Sequence, residues 1–213
     1  MESSPPPPHF KQVVLGSSSI ARRSILTDMG YQFTLMSADI DEKSIRKQNP
    51  EELVLALAEA KAEAIMQRIP DDDDIKETLL VTCDQVVVYE NAVREKPSSV
   101  EEAREYIRGY SKGHTATVSS VVVTNTKTGF RKGGVDRVEI YFNEISEEII
   151  SKLIEEGTVL KVAGALLIEH PLISPCVKEM VGTIDSVMGL PKKLTEKLLK
   201  EAMASTQEKM SGV

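Results

Sequence analysis

Residues 79–89 read LLVTCDQVVVY, an apolar and β-branched run that is interrupted at its centre by Asp84 and Gln85. A run of this length and composition predicts a buried strand. A carboxylate inside such a strand must be ion-paired, hydrogen-bonded or bound to a metal, because a buried unpaired charge is costly. The alternative is that the strand ends at Asp84, whose side chain then turns the chain.

Strand and helix signals alternate on both sides of this run, which is typical of an α/β protein. The second half is richer in strands, and NTKTG at 125–129 predicts a hairpin turn. We therefore expect a mixed sheet, in two lobes with a cleft between them. The predicted strands are 12–15, 32–36, 79–89, 114–124 and 135–142, with further apolar pieces at 162–168 and 177–181. The predicted helices are 19–29, 51–68, one capped by Ser98 or Ser99, 146–155, and one from Pro191 to about Met203.

The composition argues against several classes of function. The chain has 213 residues and a net charge of -7, with 4% aromatic residues and no Trp. The acidic charge argues against binding to a nucleic-acid polymer or an anionic membrane, and the few aromatic residues argue against base stacking. No apolar run approaches the length of a membrane span. A small anionic ligand in a local basic pocket is compatible with this composition.

The cysteines and the termini indicate an intracellular protein. Cys83 and Cys176 form no C-x-x-C pair, so reduced thiols are the simplest interpretation. The N-terminal MESSPPPPHF lacks the apolar segment of a signal peptide and the arginines of a transit peptide. We expect a cytoplasmic protein with a disordered proline-rich tail at 1–10, a single two-lobed domain at 11–204 and a flexible tail at 205–213.

A second unusual stretch is LGSSSIARRSIL at 15–26, in which Arg22 and Arg23 follow three serines. If Ser18 or Ser19 caps the helix, Arg22 lies in its first turn, where unpaired N–H groups favour anions over cations. A bound phosphate would explain the arginines, because N–H groups, serine hydroxyls and a guanidinium would all face it. The alternative is a solvated helix with arginine stems lying along its surface. The stretch is not a Walker loop, because the G-K-[ST] ending is missing.

Lys61 lies on the inward face of the helix predicted at 51–68, among apolar residues spaced three and four apart. An inward lysine needs a counter-charge, unless it lies at the edge of the apolar stripe and reaches water. Glu42, in the polar loop IDEKSI, is a candidate for a second carboxylate beside Asp84. Taken alone, Glu42 is more typical of a solvated residue.

Other charged positions are less informative. Lys96 precedes a proline and is held extended, which suits a lysine that reaches into a cleft, although loop lysines are usually solvated. Glu169 ends the apolar run AGALLIE and is a candidate ligand contact. Asp71–Asp74 is typical of a solvated acidic loop, and the three histidines show no zinc-site spacing. Two carboxylates with several cations suit a divalent metal and a polyphosphate.

The order of these motifs resembles the Maf family of nucleoside triphosphate pyrophosphatases. LGSSSIARRSIL resembles the family's opening L-A-S-x-S-P-R-R-x-x-L-L, with Gly16 and Ile20 where the family has Ala and Pro, and TCDQVV resembles its S-D-Q motif. IDE, LALAEAKAEA, EKPSSVEEA, VAGALLIE and GTIDSVMGLP resemble further family segments. The match runs in one colinear order over about residues 12 to 200, and the set is specific although each motif alone is weak.

The resemblance implies a reaction, a fold and a set of roles. The reaction is hydrolysis of a nucleoside triphosphate to the monophosphate and pyrophosphate, with Mg²⁺ or Mn²⁺. The fold is an elongated, two-lobed mixed sheet flanked by helices with a central cleft, similar to the ITP/XTP pyrophosphatases and often homodimeric. By position, Asp84 matches the catalytic aspartate, described as a proton acceptor, which orients water either directly or through the metal. Ser17, Arg22, Lys61 and Lys96 match phosphate-contacting positions, and Glu42 and Asp84 match positions that hold metal.

Base specificity is implied to depend on Ala21, Gln85 and Glu169. Family members of the dTTP/UTP type have Arg, Thr and Gln at these three positions. Gln85 and Glu169 instead resemble the branch that prefers 7-methyl-GTP, which usually has Trp where this chain has Ala21. A glutamate accepts hydrogen bonds from the N1–H and N2–H₂ donors of guanine, whereas the carbonyls of uracil suit a glutamine better. The absence of an aromatic residue at position 21 removes a partner for a cationic methylated base.

Three functional hypotheses stay open. The first is a Maf-type pyrophosphatase, on 7-methyl-GTP-like nucleotides or of the dTTP/UTP type. The second is an ITP/XTP-type hydrolase on a related fold. The third is a nucleotide-binding regulator of cell division without turnover. The joint presence of Asp84, Glu42, Lys61 and Lys96 favours catalysis over the third.

Overall fold

The computed structural model describes residues 12–69 and 78–211, and for 207–211 the backbone alone. The proline-rich stretch at 1–10 and the acidic loop Asp71–Asp74 lie outside the described residues. The strands are β1 (Gln12–Gly16), β2 (Phe33–Leu35), β3 (Thr78–Tyr89), β4 (Ala92–Arg94), β5 (His114–Asn125), β6 (Arg131–Phe142) and β7 (Val177–Val181). The α-helices are α1 (Ile20–Asp28), α2 (Pro50–Met66), α3 (Val100–Tyr110), α4 (Glu147–Glu156), α5 (Ile184–Val187) and α6 (Lys192–Ser211).

The described strands form one mixed α/β sheet, as predicted. Its order is β2-β1-β3-β5-β6-β7, with β4 paired to β3. β1 is parallel to both β2 and β3, whereas β4 is antiparallel to β3 and β7 is antiparallel to β6. The predicted hairpin joins β5 to β6 at Asn125–Gly129, where Gly129 N–H donates to the Asn125 carbonyl at 3.0 Å. Gly129 has φ +74°, a conformation that glycine adopts without steric cost.

The chain divides into two compact units. The first unit contains the described residues of 12–84, 119–136 and 188–211, and the second contains 85–118 and 137–187. The predicted cleft and the predicted single domain stay predictions.

The first unit has three layers, because its strands bury both faces. Alternate residues of β1, such as Val13 and Leu15, pack with Ile25 of α1 and Leu198 of α6. Val14 points to the opposite face. On that face, the buried partners come from α2 and the two neighbouring strands: Ala58, Ala62, Ile65, Leu80 and Val122. Near-continuous apolar strands are what burial on both faces requires.

The second unit has one apolar core between its strands and helices. Ile107 and Tyr110 of α3 and Leu153 of α4 pack with Val138 and Ile140 of β6. α3 begins with a serine cap, because the Ser99 hydroxyl accepts from Glu102 N–H at 3.1 Å, while the Glu102 carboxylate accepts from Ser98 N–H at 2.5 Å. Of the two serines considered for this cap, Ser99 is the one that occupies it.

The last helix is longer than its sequence indicated. α6 continues to Ser211, whereas the predicted end was near Met203, so the predicted flexible tail at 205–213 begins inside a helix. Contacts within the first unit explain the extension. The Asn125 amide donates to the Thr206 hydroxyl at 2.9 Å, and the hydroxyls of Thr128 and Ser205 lie 3.0 Å apart. These hydrogen bonds stabilise a helical end whose Ser and Thr have low helix propensity.

Across residues 12–69 and 78–211, no helix combines the length and apolar character needed to cross a bilayer.

Candidate functional site

The turn between β1 and α1 carries the first group of predicted residues. Ser19 caps α1, with its hydroxyl accepting from Arg22 N–H at 3.4 Å, and the first turn of the helix contains no acidic residue. The Ser17 hydroxyl accepts from Ser19 N–H at 3.2 Å, which folds the serines back on the helix end. The unpaired N–H groups of a helix N-terminus favour a bound anion.

Arg22 is held by the protein rather than solvated, so the snorkelling alternative does not apply to it. Its Nε donates to the Gly189 carbonyl at 2.9 Å, and Nη1 donates to the Cys83 carbonyl at 3.2 Å and the Ser17 hydroxyl at 3.4 Å. Among the described residues, Nη2 has no hydrogen-bond partner. Arg23 is anchored through Nη2 to the Ser18 carbonyl at 3.1 Å. Main-chain carbonyls thus offset both cations, and within the described part of the chain one edge of the Arg22 guanidinium makes no hydrogen bond.

Lys61 is the centre of a three-membered charge cluster in the first unit. Its ammonium lies 2.5 Å from Asp84 Oδ1 and 2.8 Å from Glu42 Oε1. The side chains of Lys61 and Asp84 are each 12% exposed, whereas that of Glu42 is 53% exposed. The expected counter-charge of the inward lysine is therefore present, and the residue is not a solvated lysine at the edge of the apolar stripe. β3 continues to Tyr89, so Asp84 lies inside the strand and does not end it.

Two buried hydroxyls connect the strands beside this cluster to α2 by hydrogen bonds, and neither of them was predicted. The Thr82 hydroxyl donates to the Ala58 carbonyl at 2.8 Å. The Ser120 hydroxyl donates to the Val54 carbonyl at 2.6 Å and accepts from Asp84 N–H at 3.3 Å. Ser120 is fully buried in β5. A serine inside a β-branched run was the sequence feature that could have indicated a buried hydroxyl in need of a hydrogen-bond partner.

Gly16 ends β1 at a close approach between elements. A Cβ at this position would lie 2.6 Å from Thr82 Cγ2 and 2.7 Å from Ile65 Cδ1. Glycine therefore leaves room for Thr82 and Ile65, whereas the family pattern has alanine here.

Cys83 is not a candidate nucleophile. The residue is completely buried, and desolvation raises the pKa of its thiol to about 11 despite the cations of Arg22 and Lys61. A thiol with this pKa is protonated at neutral pH and is unreactive.

The candidate donor set for a metal consists of Glu42 and Asp84. Among the described residues, no group of three or more His, Cys, Asp or Glu side chains is arranged to hold an ion. Two carboxylates meet at Lys61, and hard oxygen donors of this number are what Mg²⁺ takes when substrate phosphates and water complete its shell. The residues present therefore fit a metal that is bound together with a polyphosphate.

Three of the other predicted residues, Lys96, Gln85 and Glu169, belong to the second unit. Lys96 is exposed and is followed by a buried proline. Gln85 lies in β3, and its amide nitrogen donates to the carbonyls of Val187 at 2.6 Å and Ser186 at 3.2 Å. Glu169 is exposed in a turn next to His170, whose Nε2 lies 2.8 Å from Glu156 Oε2.

The structure thus brings Ser17, Arg22, Lys61, Asp84 and Glu42 into one unit, with direct contacts from Ser17 to Arg22 and from Lys61 to both carboxylates. Ala21 is half-buried in the first turn of α1 in the same unit. The phosphate, metal and base-specificity roles of all nine residues stay predictions.

Comparison with known proteins gives a consistent result. The family model described as Maf-like protein matches residues 12–202. A 7-methyl-GTP pyrophosphatase from Dictyostelium discoideum is 40% identical over 193 residues, which cover 90% of this chain and 97% of that protein. A dTTP/UTP pyrophosphatase from Alkaliphilus metalliredigens is 31% identical, covering 85% of this chain and 91% of its own length. A nucleoside triphosphate pyrophosphatase from Chlamydia muridarum is also 31% identical, covering 89% of this chain and 93% of its own length.

Proposed function

The chain belongs to the family of Maf-like proteins, and we propose that it is an enzyme that hydrolyses a nucleoside triphosphate to the monophosphate and pyrophosphate. The observation that carries this proposal is the Lys61 ammonium between the carboxylates of Asp84 and Glu42. Buried charges of opposite sign are costly to assemble, and such clusters occur preferentially where chemistry needs them. The activities for which the relatives are named support the class of reaction.

The proposed roles of the residues are of two kinds, neutralisation of the phosphate charge and activation of a water molecule. Lys61, the unbonded edge of Arg22 and the N–H groups at the start of α1 bind the phosphates and offset their charge. For Lys96, a phosphate contact is proposed from its position in the family's motif. Asp84 orients a water molecule towards the α-phosphorus and accepts its proton as the bond to the leaving pyrophosphate breaks. Ser17 positions Arg22 through the hydrogen bond at 3.4 Å.

Glu42 and Asp84 would hold the divalent metal, Mg²⁺ or Mn²⁺. When bound, the metal neutralises charge on the phosphates and on the leaving pyrophosphate. Glu42 is the more adaptable of the two ligands, because half of its side chain is exposed, whereas Asp84 is fixed by burial and by Lys61.

Within this class, we favour a purine nucleotide of the 7-methyl-GTP kind over dTTP or UTP. The relative at 40% identity is named for 7-methyl-GTP, and the relatives near 31% are named for dTTP/UTP or for nucleoside triphosphates in general. Glu169 offers acceptor oxygens to the N–H donors of a guanine edge. The ITP/XTP-type specificity and a non-catalytic regulator of division are the competing hypotheses.

A nucleotide panel tests the proposal. Ordinary and 7-methylated triphosphates, including dTTP, UTP, ITP and GTP, are incubated with Mg²⁺ or Mn²⁺ and assayed for pyrophosphate. We expect turnover that needs the metal, with 7-methyl-GTP faster than dTTP or UTP. Faster turnover of dTTP or UTP contradicts the role of Glu169, faster turnover of ITP favours the second hypothesis, and no turnover on any member leaves only the third.

An Asp84→Asn variant tests the role of the aspartate. We expect a loss of activity of at least ~100-fold, because general-base catalysis contributes about 10²–10⁴-fold, while the variant folds. Asp28→Asn is a matched control, since the Asp28 side chain is 62% exposed and lies 3.9 Å from Lys192. Equal rates for Asp84→Asn and the control would refute the assigned role.

The remaining predictions rest on the sequence alone. A homodimer, a cytoplasmic location and the absence of nucleic-acid and membrane partners are proposed on that basis.

A further inference from the structure

The run that leads to Glu169 starts with a strained backbone in the second unit. Gly164 has φ +60°, and the next residue, Ala165, has φ +54° while being only 3% exposed. A left-handed conformation is unusual for alanine and persists only where the surroundings determine it strongly. Two turn hydrogen bonds of 3.2 Å, from Ala165 N–H to the Val162 carbonyl and from Leu166 N–H to the Ala163 carbonyl, close the segment locally.

Gly164 also connects two separate elements through its own peptide groups. Its N–H donates to the Glu95 carbonyl at 2.8 Å, directly before Lys96. Its carbonyl accepts from the Tyr110 hydroxyl at 2.7 Å. A side chain at position 164 would lie 2.6 Å from Val87 Cβ, so only glycine fits between these partners. The stretch containing Lys96 is thereby hydrogen-bonded to the segment that leads to Glu169. Tyr110, the last residue of α3, is hydrogen-bonded to the same segment.

The surroundings of Tyr110 hold its hydroxyl in place for this hydrogen bond. The residue is 1% exposed, and its ring stacks on Phe142 with centroids 6.0 Å apart. Burial raises the pKa of Tyr110 to about 12, so the phenol keeps the proton that it donates to Gly164.

Arg94, next to Glu95, is held by contacts with three tyrosine rings. Its guanidinium carbon lies 3.9 Å from the ring centroid of Tyr89, 4.5 Å from that of Tyr106 and 5.0 Å from that of Tyr110. Nη1 donates to the Tyr106 carbonyl at 3.0 Å. Cation–π contacts of this kind hold an arginine in one orientation. The residue is therefore immobilised two positions before Lys96.

We propose that Tyr110 is a positioning residue, which acts through Gly164 and the Glu95 carbonyl to place Lys96 for its contact with the triphosphate. The proposal rests on the function proposed above. Side-chain entropy and exposure leave Lys96 itself free to move, so its effectiveness depends on how firmly the backbone under it is held. The Tyr110 hydroxyl contributes to that hold through the Gly164 carbonyl.

Tyr110→Phe removes the hydroxyl and keeps the packed ring. Tyr106→Phe is the matched control, because the Tyr106 hydroxyl bonds Glu102 Oε1 at 3.0 Å from the same helix but makes no contact with Gly164. We expect Tyr110→Phe to lower kcat/KM for the triphosphate about ten-fold, the scale of one lost hydrogen bond, and Tyr106→Phe to leave it within about two-fold. In a Lys96→Gln background, Tyr110→Phe should have no further effect, because the residue that it positions is gone.

Additive effects of the Tyr110 and Lys96 substitutions, or equal effects of the two tyrosine variants, would overturn the proposal.

A second measurement does not depend on enzymatic activity. Amide hydrogen exchange of 162–166 and 95–98 should be faster in Tyr110→Phe than in the wild type and in Tyr106→Phe, since the hydrogen bond that closes this connection is absent. Unchanged exchange refutes the connection whether or not the protein turns over nucleotide. A wild-type chain without turnover contradicts the proposed function instead, and the exchange result then decides the connection alone.

Discussion

Replacement of Lys61 by methionine is the sharpest test of the charge cluster. The substitution keeps the apolar stem and removes the ammonium. Among the described residues, the Asp84 carboxylate has no other side-chain partner than Lys61, and it is 12% exposed. Removing one member of a buried ion pair costs about 3–5 kcal/mol. We expect the lower end, about 3 kcal/mol, because water reaches part of Asp84 and because Glu42, whose side chain is 53% exposed, stays in contact with solvent.

The opposite substitution should cost less. In Asp84→Asn, Lys61 keeps Glu42 at 2.8 Å and a neutral oxygen at position 84, so we expect a loss of about 1 kcal/mol. The double variant should be more stable than Lys61→Met alone, because no unpaired buried carboxylate is left.

Thermal unfolding followed by far-UV circular dichroism, without nucleotide or metal, measures the three variants. For a chain of this size, 3 kcal/mol corresponds to a fall in Tm of about 6–12 °C. Lys152→Met is the control, since Lys152 forms an exposed pair with Glu148 one turn away on α4, and such pairs contribute about 0.5 kcal/mol. If Lys61→Met lowers Tm no more than Asp84→Asn, or if the double variant shows the sum of the two losses, the buried-pair reasoning is refuted.

Two further substitutions test the packing around the cluster. Gly16→Ala should lower the free energy of unfolding by about 1–3 kcal/mol in urea, because its Cβ would clash with Thr82 and Ile65. Adding Ile65→Val removes one of these clashes and should recover part of the loss. A Gly16→Ala variant as stable as the wild type would contradict this account of the packing. Since burial raises the pKa of Cys83 from 9.0 to about 11, the folded state holds this proton more tightly than the unfolded state, and the resulting stability is complete below pH 9 and is lost between pH 9 and 11. Cys83→Ala should therefore flatten the fall in stability over that pH range by about 2 kcal/mol, and an identical alkaline slope in both proteins would contradict this assignment.

Much of the fold was predictable because both faces of the first unit's sheet are buried. β1, α1 and β3 were expected within two residues of their bounds, since long apolar runs and clear stop signals leave few alternatives. The end of α6 was predicted too early, because the hydrogen bond from Asn125 to Thr206 is a contact between residues far apart in sequence. Local propensity contains no information about such a contact.

The site was predictable where a charge stands in an apolar setting. Asp84 inside β3 and Lys61 on the inward face of α2 each required a partner, and the structure pairs them. The carbonyls that hold Arg22 were not predictable, because Gly189 lies 167 residues away along the chain. Tyr110 also gave no signal, since an aromatic residue on the apolar face of a helix is typical of any core.

Product analysis tests the central claim most directly. Phosphorus-31 NMR of a reaction with 7-methyl-GTP and Mg²⁺ follows the phosphate groups as they separate. Cleavage between the α- and β-phosphates predicts equal amounts of 7-methyl-GMP and pyrophosphate, formed by the wild-type chain and not by Asp84→Asn. Formation of the nucleoside diphosphate with inorganic phosphate, or pyrophosphate release that persists unchanged in Asp84→Asn, would contradict the account.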